Sequence, residues 1–69
     1  MSTTINIFEN LITEEEEEIQ VLEQHIEDIR ADSSLEDATK NLLIDTIQDI
    51  IEDNKSHIEW LQEDLEELQ

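Results

Sequence analysis

The chain contains no cysteine, no glycine and no proline, and its only aromatic residues are Phe8 and Trp60. Without cysteine, neither a disulfide nor a thiolate metal site can staple the fold. Without glycine, the tight turns of β-hairpins and the phosphate-cradling loops of nucleotide-binding proteins lack their usual material. That scarcity, with long polar–apolar periodicity, leaves all-α as the expected fold class. Cations are equally scarce: three Lys and Arg stand against 21 Asp and Glu, a formal charge of −18. Such a charge disfavours direct binding to DNA, RNA or an anionic bilayer. No apolar run approaches membrane-spanning length, and no basic segment followed by an apolar core opens the chain. The expectation is a cytoplasmic protein of one domain, residues 1–69, near the lower size limit for a self-sufficient core.

What the chain does have is period. Ile44, Ile47, Ile51, Asn54, Ile58, Leu61, Leu65 and Leu68 recur in alternating steps of three and four. This spacing is that of the a and d positions of a heptad and predicts a helix over about 35–68. Leu43, Ile50 and His57 fall one place before the a positions and widen the stripe on one side. In the first half, Ile5, Phe8, Ile12, Glu15, Ile19, Leu22, Ile26 and Ile29 keep the same rhythm, predicting a continuous helix over about 4–30. Met1 to Thr3 read as a frayed end. A competing signal is Thr13 followed by Glu16, a capping box that would start a new helix there. The Glu14–Glu18 run adds like-charge repulsion at the same place.

Ala31, Asp32, Ser33 and Ser34 form the turn, with Ser33 and Glu36 as a capping box and Asp37 adding charge suited to the first turn of the second helix. Arg30 suits the end of the first. So short a connection predicts an antiparallel hairpin. In it Leu22 would lie near Ile44, Ile19 near Ile47, Ile12 near Asn54 and Phe8 near Ile58. A lone hairpin buries one seam and leaves Leu11, Val21, Leu43, Ile50 and Trp60 over. A homodimer closing into a four-helix bundle is the expected cover, and docking on a different protein the alternative.

Few residues could carry chemistry. No Ser or Thr has a positioned base, so no catalytic residue and no enzyme is expected. His25 and His57 share a heptad slot and are each followed by Ile-Glu, but could meet only across a dimer. Asp53 and His57, one turn apart, could chelate a divalent ion with Glu15 or Glu18 as a third ligand. The simpler reading is a histidine at the core boundary beside a carboxylate, and neither metal nor cofactor is expected. Asn54 and Glu15, polar in seam positions, are read as fixing register or oligomer state at some cost in stability. Trp60, beside the stripe, is either the rim of the bundle core, the preferred reading, or an exposed anchor for a partner.

The stretch Ile51-Glu52-Asp53-Asn54-Lys55-Ser56-His57-Ile58-Glu59-Trp60-Leu61 resembles the last long helix of bacterioferritins and, more faintly, that of the starvation-induced mini-ferritins. The resemblance implies a ferritin-like antiparallel helix pair. In that family the helix carries Glu-x-x-His, which binds iron. Here His57 matches the histidine, but Asn54 stands in the place of the glutamate, and Leu22 precedes His25 by three. The resemblance thus implies the helix pair and speaks against a ferroxidase.

The acid admits three readings: a solvated surface, intrinsic disorder, or a binding surface. The regular stripe argues against disorder. Opposite the stripe run Asp45, Asp49, Glu52, Ser56, Glu59, Glu63 and Glu66, acidic at every step but Ser56. Along this line carboxylates recur about every 5 Å, comparable with the phosphate path of nucleic acid. The first helix shows mainly Asn6, Asn10, Thr13, Gln20 and Gln24 outward. The expected partner-binding residues are therefore Asp45, Asp49, Glu52, Glu59, Glu63 and Glu66, joined by Glu14 and Glu17. The expected partner is a basic, nucleic-acid-binding protein, inhibited by charge mimicry. In type, such small acidic proteins resemble phage-encoded inhibitors of host defence or DNA enzymes, acting in the host cytoplasm. The runner-up is a ferritin-like pair holding divalent metal through carboxylates and His57, and after it a plain helical assembly module.

Overall fold

A computed structural model describes residues 3–69, so Met1 and Ser2 of the expected frayed end lie outside the described residues, while Thr3 already belongs to a helix. Two helices make up the described chain: α1 (Thr3–Ala31) and α2 (Asp37–Leu68). They pack against each other as a hairpin of 51 × 15 × 10 Å. α1 runs unbroken through the glutamate run. Thr13 does not cap a new helix: its hydroxyl donates back to the carbonyl of Glu9 at 3.1 Å, a bond available to threonine inside a helix.

The seam follows the heptad. Ile12, Ile26, Ile51 and Asn54 are buried, and every other seam position except Leu68 is partly covered. Both polar intruders are where their spacing puts them. Asn54 is only 7% exposed, and Glu15 sits among half-covered neighbours.

The turn differs from expectation. α2 starts at Asp37, and the residue capping it is Glu36, in extended backbone and with no side-chain cap bond. The Ser33–Glu36 capping box does not form, because Glu36 itself is at the cap and Ser33 stands three residues before it. The Asp32 carboxylate takes the Ser34 N–H at 2.9 Å and the Ser34 hydroxyl at 2.6 Å. These two bonds, helped by the charge of Lys40, hold the Asp32 carboxyl below the usual carboxylate range. Arg30 ends α1 as expected, yet its guanidinium pairs with Glu27 at 2.8 Å. The cation that reaches the end of α1 is Lys40, whose Nζ donates to the Arg30 carbonyl at 3.0 Å across the turn.

Side-chain contact across the seam is offset from the simple pairing. Extending the pair Ile12–Asn54 would put Ile51 opposite Glu15, whereas the side chain that reaches Glu15 is His57, with Nδ1 3.7 Å from Oε1. Two causes act in the same direction. α2 begins later than expected, and side chains lean toward the N-terminus of their own helix. In an antiparallel pair the leans oppose, so contact joins residues of higher number than the backbone level suggests.

Candidate functional site

The hairpin presents three distinct surfaces, set by which heptad slots flank the seam. One groove has Ile26 and Ile51 as its floor and Glu23, Glu27, Arg30, Gln48, Glu52 and Lys55 around it. A second, on the other side, is lined by Leu11, Glu15, His57, Trp60 and Leu61. The back of α2 carries the acidic line.

All eight residues expected to bind a partner are exposed: Glu14, Glu17, Asp45, Asp49, Glu52, Glu59, Glu63 and Glu66. None of them makes an ion pair or a side-chain hydrogen bond with another described residue. Unpaired carboxylates on a helix repel one another, and no ion pair with another described residue offsets that. The cations are gathered elsewhere. Arg30 and Lys55 border the first groove and Lys40 serves the turn, while α1 before Arg30 and α2 after Lys55 hold no Lys or Arg at all. Folding the chain into a hairpin lays these two cation-free segments side by side. The end of the molecule away from the turn thereby carries Glu59, Glu63 and Glu66 on α2 with no Lys or Arg facing them from α1, while Glu14 and Glu17 stand near the middle of α1. The positions of the cations were legible in the sequence, but their consequence required the hairpin.

The second groove joins the polar seam residues to the exposed flank. One oxygen of Glu15 faces His57, an ion pair only when the imidazole is protonated. Its other oxygen, Oε2, is buried without a hydrogen-bond partner, as is the Asn54 amide nitrogen. Trp60 is not covered at this level; it is 62% exposed and forms the outer wall of the groove. His25 is exposed and lies outside this groove, so the two histidines do not share it. Asp53 is exposed one turn before His57, and among the described residues no three His, Asp or Glu side chains gather as a metal site.

Comparison with protein families, curated proteins and solved structures finds no match. The chemistry of the surface is therefore the guide to what it contacts. Among the described residues no helix is long and apolar enough to cross a membrane.

Proposed function

We propose that this protein is a non-enzymatic acidic helical hairpin that binds a basic surface on a nucleic-acid-handling protein and blocks it by mimicking the charge of nucleic acid. The observation that carries this reading is the row of exposed carboxylates on α2, which make no ion pair with another described residue, with Glu14 and Glu17 exposed on α1 besides. Concentrating like charge on so small a body destabilises it, and meeting an oppositely charged surface would offset that cost. A rigid helix holds its carboxylates at fixed spacing, as a phosphate backbone does its charges, and a groove shaped for phosphates can then engage several at once. Inhibition by occupancy needs no catalytic group, and a phage-encoded inhibitor of a host enzyme is the kind of protein this describes.

The test is a pull-down from cell extract at low and high salt, followed by competition with duplex DNA. A basic nucleic-acid-binding protein should be recovered at low salt, released by high salt and displaced by the duplex. Reversing Asp49, Glu52, Glu59 and Glu63 to Lys should abolish that binding while the helices persist, because these side chains make no core contact. If the four-lysine variant holds the same partner as tightly at low salt, charge mimicry is wrong.

A further inference from the structure

Among the described residues eight large apolar side chains are exposed, and they are not spread evenly. Leu11, Leu43 and Ile50 immediately precede an a position of the seam and Ile7, Val21 and Trp60 a d position, the latter slot standing further round the helix from the seam. In an antiparallel pair these slots of both helices flank the same side. The two grooves bear this out: Leu11, His57 and Trp60 line one together, whereas Glu23, Arg30, Gln48 and Lys55 line the other. One long side of the hairpin thus carries apolar groups that the opposite side lacks.

From this side we infer that the covering partner is a second copy of the chain. The area fits. The chain exposes 5225 Å² for a mass of 8.1 kDa, whereas a compact monomer of this mass exposes about 4,500 Å². The excess of roughly 700 Å² is close to the 800 Å² or so that each partner contributes to a standard interface. The radius of gyration agrees, at 15.9 Å against about 11 Å for a compact chain of this length.

The pattern on the face is also self-complementary. Val21, Leu43 and Ile50 form an apolar group toward the turn, and Ile7, Leu11 and Trp60 another toward the open end. Between them lies a polar band of Glu14, Glu18, Asp53 and His57. Ile50 and Trp60 are about 15 Å apart along α2, and Val21 and Leu11 about 15 Å apart along α1, from the helical rise. The band therefore lies midway between the groups. A two-fold axis through it lays apolar group on apolar group and band on band, as an isologous contact requires. The acidic line of α2 stays open on the far side, while Glu14 enters the interface. Since the band sets acid against acid around the two His57 side chains, association strengthens as salt rises.

Sedimentation equilibrium of the full chain across a concentration series, with the emission of its single tryptophan recorded on the same samples, tests this. The mass should reach twice 8.1 kDa, and Trp60 emission should shift to the blue and resist acrylamide quenching as dimer forms. Replacing Leu11 and Ile50 together with Gln should weaken dimerisation about 100-fold or more, the scale of losing two interface anchors. A chain mass of one copy at every concentration up to hundreds of micromolar, with helicity intact and Trp60 open to quencher, overturns the inference. So does an undiminished dimer in the Leu11/Ile50 variant. Should that variant unfold, the concentration dependence of Trp60 quenching in the unmodified protein decides. The four-lysine variant of the acidic line should still dimerise, so failure of this inference and failure of the charge-mimicry reading are told apart.

Discussion

Replacing Asn54 by Leu offers the sharpest test of the seam. Asn54 is 7% exposed, and its amide nitrogen is buried with no hydrogen-bond partner among the described residues. Leaving such a donor unsatisfied costs about 1–3 kcal/mol, which the substitution relieves. Leucine has nearly the shape of asparagine, so no large cavity or clash is introduced, and burying its apolar surface adds up to about 1.5–3 kcal/mol. That second figure is an upper bound, because the unfolded chain already covers part of the side chain. A net gain of about 2–3 kcal/mol is the expectation, and for a domain of this size it corresponds to a rise of about 10–20 °C in Tm. The assay is thermal melting by circular dichroism at one protein concentration, with the mass of each variant checked by sedimentation, since oligomerisation itself shifts Tm. Asn54→Ala is the control: it removes the same donor but leaves a void, and should lie within about 1 kcal/mol of the unmodified protein. Asn54→Leu should also broaden the distribution of oligomers, because a polar seam residue restricts the registers available. A Tm for Asn54→Leu equal to or below that of the unmodified chain, at unchanged helicity and mass, would refute the reasoning.

Lowering the pH from neutrality toward the sequence pI of 4.1 should raise Tm, as should added salt, because both relieve repulsion among the carboxylates. Asp32 acts with the opposite sign: its folded pKa is depressed, so its contribution is present above the ordinary carboxylate value of 3.8 and is lost as pH falls through the lower folded value. Melts from neutral to strongly acidic pH should therefore show Tm rising and then flattening or turning down, and a fall from the first acid step onward would show that the acids are specifically paired. Lys40→Met should lower stability by about 1 kcal/mol through loss of its bond to the Arg30 carbonyl, visible in amide exchange as fraying at the end of α1. Unchanged protection there would mean the carbonyl needs no such partner.

Much of this protein was determined by the sequence alone, because in a helix residue number is angular position. The steps of three and four placed Ile12, Ile26 and Ile51 in the seam, put Asn54 and Glu15 among them, and set Asp45 to Glu66 on the opposite side, all independently of any partner. The absence of Gly and Pro removed the alternatives to helix. What one helix meets on the other depends on where the turn ends and how the side chains lean, and neither is periodic. The structure decided that Asp32, not Ser33, organises the turn, its ionised carboxylate accepting from both the N–H and the hydroxyl of Ser34. It likewise decided that Lys40 reaches back to α1 and that His57 meets Glu15. Only the antiparallel pairing brought Leu11 and Trp60, from opposite ends of the chain, onto one groove, because side chains from two helices share a surface only once their register is set.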